Sequence, residues 1–450
     1  MNMRYIGRLA FGLVTALLLS SCNDFLDITP TGKVIAKTGD EYRALLTTEY
    51  NNFPEDRGLA TFRSDEMLLD KTSTTSEDYD SFFDIWRWND DAPSSSTVSF
   101  GWRKYYHTIY IANYLLAHKN EISNATQAEV DQLAGEAYML RAYSHFLLVN
   151  LYAEPYTKVD PDTARGVPVQ LEADINKIPR PVTVGAVYRQ VLSDIAAADS
   201  LLHVDSWPTG LNYRFSKISV QALKARVCLY MGRWQEALTA AQAVIKAHGT
   251  LENLNNSSAV LPDNYKSVES IVALEQVMTN TYKNAGRPAP ALLALYQSGD
   301  LRKTKYYKQI TASVSRLNKG GSSEYSCSFR TAEQYLIAAE CSNELGHTAE
   351  AAEYIAQLLA ARFRPSSLSA AQDRVRAMNQ EQLREEIQTE RLRELAFEGF
   401  RWFDLRRTTQ PSLTKTYQGD TYTLQQGDRR YTLRFPTEAT EANPKLSANH

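Results

Sequence analysis

Two stretches of this chain share one spacing. Ala225, Gly232, Trp234, Ala237 and Ala241 stand at the same intervals as Ala339, Gly346, Thr348, Ala351 and Ile355. Small residues at such positions let two helices approach closely and a glycine turns the chain between them, as in the tetratricopeptide pattern. A helix pair of this kind cannot bury its apolar face alone and must stack on neighbours. The duplication therefore predicts a mainly α fold, a superhelix of tetratricopeptide-like pairs, with a less regular loop-rich region and little β.

Further helix signals agree. Thr38-Gly39-Asp40-Glu41 is a capping box ahead of Tyr42, Leu45, Leu46 and Tyr50. Trp102, Tyr105, Tyr106, Ile109, Asn113 and Leu116 keep a helical period, and Thr126-Gln127-Ala128-Glu129 opens the next helix, which Pro155 stops. The two form an αα-hairpin. Thr183 and Ser216 begin two more helices, and a short β-hairpin is expected between Thr421 and Phe435. Residues 51–97 read differently: polar, without a sustained period, yet with Tyr79, Phe82, Phe83, Trp86 and Trp88 within ten residues. Long irregular segments tend to be functional loops or disordered, and so many aromatics argue against disorder.

The densest charge lies late in the chain. Glu386, Glu390, Glu394 and Glu398 recur every four residues, so on a helix they stack along one line and repel. Cations must meet them. Arg391, Arg393, Arg401, Arg406 and Arg407 are close in sequence, and a guanidinium holds a carboxylate through two parallel bonds. With Arg141, they predict a structural ion-pair strip that locks a late helix, broken at Gly399, onto the earlier pairs. Glu390 with Glu394, or Asp65 with Glu66, could instead be the two carboxyls of a glycoside hydrolase. No H-E-x-x-H, G-x-S-x-G, phosphate loop or dinucleotide fingerprint accompanies them.

The amino terminus is an address. Arg4 and Arg8 precede an apolar run from Leu9 to Leu19, which is too short to span a bilayer and reads as a signal peptide. Leu19-Ser20-Ser21-Cys22 follows; it resembles a bacterial lipobox, which makes residues 1–21 a lipoprotein leader, Cys22 the lipidated residue and 22–37 a tether. The other cysteines, Cys228, Cys327 and Cys341, show neither a disulfide framework nor a zinc spacing, and no metal or cofactor is expected. Forty-nine Lys plus Arg against 52 Asp plus Glu leave a net charge of -3, which gives no reason to expect nucleic acid.

Together these features resemble the SusD/RagB family of outer-membrane nutrient-binding lipoproteins. The resemblance rests on the lipobox followed by Asp24-Phe25-Leu26-Asp27 and Pro30, on Gly135-Glu136-Ala137-Tyr138-Met139-Leu140-Arg141-Ala142-Tyr143 behind Trp102, Tyr105 and Asn113, on Phe329 to Glu340, and on Glu390-Arg391 through Asp404-Leu405-Arg406 to Asn443-Pro444. It implies an N-terminal SusD-like region over 38–210 and a C-terminal RagB/SusD region over 211–450, built as one structural unit. It implies further a lipoprotein on the outer face of a Gram-negative outer membrane, capturing oligosaccharides for a SusC-like TonB-dependent transporter. Peptides are the ligands of some members, and the resemblance implies binding without bond chemistry.

A sugar offers apolar ring faces and equatorial hydroxyls, so its site needs exposed aromatics beside planar polar groups. Tyr79, Trp86 and Trp88 with Asn89 and Asp90 meet that demand. Tyr282, Asn284 and Arg287, ahead of Pro288 and Pro290, form a second candidate group in a loop-like stretch.

Overall fold

The computed structural model describes residues 36–70, 76–174, 176–177, 179–447 and 449, without the side chains of 76–78. The expected leader, Cys22 and the tether up to residue 35 lie outside the described residues. The long helices are α1 (Gly39–Asn51), α2 (Ser76–Trp86), α3 (Trp102–His118), α4 (Gln127–Tyr152), α5 (Val184–Leu201), α6 (Lys217–Tyr230), α7 (Trp234–His248), α8 (Thr331–Glu344), α9 (Thr348–Arg362), α10 (Pro365–Arg376) and α11 (Gln380–Glu394). Both capping boxes form. Thr38 and Thr126 each accept the N–H of the Glu three residues on, whose carboxylate accepts the cap N–H in return.

The duplicated spacing produces two helix pairs, α6 with α7 and α8 with α9, and α7 packs on α8 so that the pairs stack. Gly232 and Gly346 turn each pair at φ of +69° and +83°, a region that costs a residue with a Cβ roughly 1–2 kcal/mol. The matching Ala225, Ala237, Ala241, Ala339, Ala351 and Ile355 are all fully buried. Upstream, α3 and α4 form the expected hairpin and α5 lies on α4; downstream, α10 packs on α9 and α11 on α8 and α9. Among the described residues, strands occur only as two-stranded antiparallel ribbons. The late hairpin lies earlier than expected, pairing Leu413–Tyr417 with Asp420–Leu424. Its two-residue turn, Gln418-Gly419, has positive φ at both positions, the conformation that matches strand twist.

The acidic line is a buried ion-pair strip, but most of its cations come from far away. Glu394 accepts from Arg330 Nη1 at 2.8 Å, Arg362 Nε at 2.9 Å and Arg302 Nη1 at 2.9 Å. Glu390 meets Arg302 and Arg393, Glu386 meets Arg374 and Arg393, and Glu398 meets Arg330 and Lys319. Burial opposes ionisation of Glu394, yet the guanidiniums of Arg362, Arg330 and Arg302 hold its carboxyl well below the usual range. Of the expected partners, Arg393 alone serves the acidic line. Arg391 pairs with Asp404, Arg401 with Asp65, and Arg407 with Glu340 and Asp404. Arg406 donates to the carbonyls of Asn150 and Ala153 at the end of α4, where a cation also suits the helix dipole. Arg141 belongs to a separate pair, with Asp194.

Candidate binding cleft

A two-lobed cleft opens where α1 ends. Asn51 and Asn52 are exposed there, and Phe53 plugs the chain into the core, stacked on Tyr143 with centroids 5.5 Å apart and edge-on to Tyr105. The residues between this plug and the short helix Asp56–Thr61 form a saddle, and Asn51, Phe53 and Glu55 line both lobes.

The first lobe, about 460 Å³, is walled by Tyr213, Tyr265, Asn212, Gln276, Ser323 and Ser326. Tyr213 and Tyr265 are half-buried, so each keeps part of its ring in solvent. Tyr50 stands edge-on to Tyr213 at 5.5 Å, and Arg214 donates to its hydroxyl at 3.0 Å. The Asn212 carboxamide donates to Tyr265 O at 2.8 Å and Ser270 Oγ at 2.9 Å, tying together the two loops that carry the tyrosines. The Tyr213 ring and the backbone that carries Tyr265 are thus held in place before any ligand arrives, which lowers the ordering cost of binding.

The second lobe, about 730 Å³, is walled by Phe100, Arg103, Lys104, His107, Tyr282 and Glu438. The buried Asp56 beneath it accepts the Gly101 N–H at 2.7 Å and so fixes the start of α3; burial pushes its carboxyl up to about 7. Ring faces beside carboxamides and hydroxyls suit a hydroxyl-rich ligand with apolar faces.

A larger groove, about 860 Å³, follows the outer side of α11 past Leu292, Leu392 and Trp234. Much of its charge is already satisfied within the protein, with Arg384 on Glu344 and Glu381, Arg401 on Asp65 and Arg407 on Glu340. It offers fewer uncommitted polar groups than the two-lobed cleft.

Only one of the eight residues expected from sequence, Tyr282, faces this cleft. Residues 79–86 are helix rather than loop, and Arg87-Trp88 is the turn that ends it. Tyr79, Phe82, Phe83 and Trp86 stand at i, i+3, i+4 and i+7, and α2 uses that stripe to enter the core. The Trp86 indole is 1% exposed and donates to Met67 O at 3.2 Å; Trp88, equally buried, donates to Arg63 O at 2.9 Å. The Lys415 ammonium covers the Trp88 ring at 4.2 Å and donates to Phe62 O and Trp86 O. Tyr79 packs against Phe83 and Tyr417. The expected aromatic platform is therefore core, because both indole N–H groups find interior carbonyls. Asn89 bonds to Asp84 and Ala92 O, and Asp90 is clamped by both terminal nitrogens of Arg63 at 2.7 Å. The second group is also ordered. Asn284 is exposed in the short helix Asn280–Ala285, which Thr279 caps, and Arg287 sits in a strand paired with Met67–Leu69. Tyr213 and Tyr265 were not anticipated; each lies in a loop without the clustering that drew notice to 79–88.

The proposed hydrolase pairs are committed elsewhere. Arg401 clamps Asp65 at 2.7 Å, while Glu66 turns inward to accept the Phe397 N–H at 3.0 Å. Burial pushes the Glu66 carboxyl up to about 8. Glu390 and Glu394 are sealed in the ion-pair strip.

Comparison with known proteins places this architecture. Residues 24–229 match the family described as starch-binding associating with outer membrane, and residues 233–447 match the SusD family. SusD-like protein P38 of Formosa agariphila is 24% identical over 88% of this chain and 90% of its own length. SusD-like protein P2 of the same organism is 25% identical over 69% and 71%. The crystal structure of a SusD superfamily protein from Bacteroides thetaiotaomicron superposes with a TM-score of 0.78 at 21% identity, covering 92% of this chain and 100% of the other. A laminarin binding SusD-like protein superposes at 0.65 with 19% identity, over 92% and 99%. The chain belongs to the SusD-like family, and its mainly helical, tetratricopeptide-like skeleton is that of the family.

Proposed function

We propose that this protein captures oligosaccharides at the cell surface as an outer-membrane lipoprotein anchored through Cys22, and passes them intact to a SusC-like TonB-dependent transporter. The observation that carries this reading is the lobe in which the half-buried Tyr213 and Tyr265 stand beside Asn51, Gln276 and Ser323. Tyrosine faces supply stacking area, and the neighbouring carboxamides and hydroxyl supply hydrogen bonds to sugar hydroxyls. The names of relatives point the same way, one solved structure being a laminarin binding protein and another a SusD-like carbohydrate binding protein of Bacteroides vulgatus. Capture followed by handover calls for no nucleophile or acid–base pair. Tyr213, Tyr265, Asn51, Gln276 and Tyr282 are the proposed ligand contacts.

Incubating the purified protein with a panel of oligosaccharides tests this reading. Binding by at least one of them without accumulation of reducing ends is expected. Replacing Tyr213 and Tyr265 together with Ala should weaken that binding by about tenfold or more, since each ring contributes roughly 1 kcal/mol, with little change in Tm. Reducing ends that grow with time, or full affinity in the double variant, would overturn it.

A further inference from the structure

The cations of the second lobe stand apart from those of the ion-pair strip. Arg103 and Lys104 are exposed, wall the lobe, and make no ion pair or hydrogen bond to any described residue. They occupy the first turn of α3, which carries no acid. A helix dipole disfavours cations at that end by about 0.3–1 kcal/mol each, so helix stability does not account for them. His107, one turn further along, shares the wall, with Nδ1 3.2 Å from the buried Glu49.

Besides Glu49, three carboxyls face this wall. Asp56 is buried beneath it and already accepts the Gly101 N–H. Glu438 is exposed on the lobe's rim. Glu55 is half-buried on the saddle, where burial and then Lys104 act on its carboxyl in opposite directions. None comes within ion-pair distance of either cation among the described residues, so the guanidinium fork and the ammonium remain open to a ligand. An arginine fork takes a carboxylate or sulfate through two parallel bonds, and a lysine beside it adds a point charge.

Resting on the reading of the cleft as a glycan site, we infer that the Arg103–Lys104 wall receives a negatively charged unit of the glycan, a uronate carboxylate or a sulfate ester. Neutral units of the same chain then lie against Tyr213 and Tyr265 across the shared saddle. The cleft so arranged selects an acidic oligosaccharide over a neutral one of equal length.

Calorimetric titration of the purified protein with length-matched neutral, uronate-containing and sulfated oligosaccharides, and with an acidic peptide, tests this. One of the charged sugar series should bind about tenfold or more tighter than the neutral series at low salt, with the advantage shrinking as salt rises. The series that shows the advantage identifies carboxylate or sulfate. Arg103→Ala with Lys104→Ala should abolish the advantage while leaving neutral binding unchanged and without lowering Tm, since the helix dipole disfavours both cations there, and Arg103→Lys with Lys104→Arg should keep part of it. Equal affinity for neutral and charged sugars, an advantage that survives the alanine pair, or preference for the acidic peptide would overturn the inference. If neutral sugars bind and charged ones gain nothing, the anionic subsite alone fails; if no oligosaccharide binds, the glycan reading fails with it.

Discussion

Glu394 is the residue on which the irregular region and the helical array meet. Its carboxylate holds Arg302 and Arg330 from the irregular region and Arg362 from the end of α9. The four-residue spacing of the acids was readable as a line needing cations. Its partners were not, because Arg302 and Arg330 stand 92 and 64 residues away. Removing one member of such a buried network strands the others, so Glu394→Ala should cost about 3–5 kcal/mol, measured by urea denaturation, while the fraction that still folds keeps its ligand affinity. A stable variant that has lost only its ligand would contradict the structural role. The sign with pH follows from the depressed carboxyl. Its folded value lies below 4.5, so its contribution is present above that pH and is lost as pH falls through the folded value.

At the scale of elements, glycines at positive φ separate local from tertiary demands. Gly346 has φ +83° with open space where a Cβ would stand, whereas at Gly399, φ +69°, a Cβ would lie 2.6 Å from the backbone of Arg57. Gly346→Ala should therefore cost about 1–2 kcal/mol from conformation alone. Gly399→Ala adds a clash and should cost clearly more, about 3 kcal/mol or above; equal losses in parallel denaturation curves would refute the packing argument. Both turns were legible, since a glycine closing a helical pattern signals a break. The stripe of α2 carries the same helical period against the expectation of a loop, because the polar residues around it mask the repeat. The displaced β-hairpin is a similar error: Leu413, Lys415 and Tyr417 alternate inward, but a lysine at an inward position hides the pattern. Lys415 can be there because Phe62 O and Trp86 O accept its ammonium.

For the molecule as a whole, the proposed attachment and the proposed capture are separable. Changing Cys22 to Ala should move the protein from the membrane to the soluble fraction and leave oligosaccharide affinity in solution unaltered; persistent membrane attachment would contradict the lipid anchor. The sequence by itself determined the helix pairs, their caps and turns, the acidic line and the family. Each of these is written in spacings of a few residues or in motifs kept in order along the chain. The tertiary structure alone decided which aromatics are surface and which are core. Trp86 and Trp88 are sealed by Lys415, from the other end of the chain, while Tyr213, Tyr265 and the Arg103–Lys104 wall reach one cleft from three separate segments. Periodicity is a local property of the backbone, but exposure depends on what distant segments pack on top.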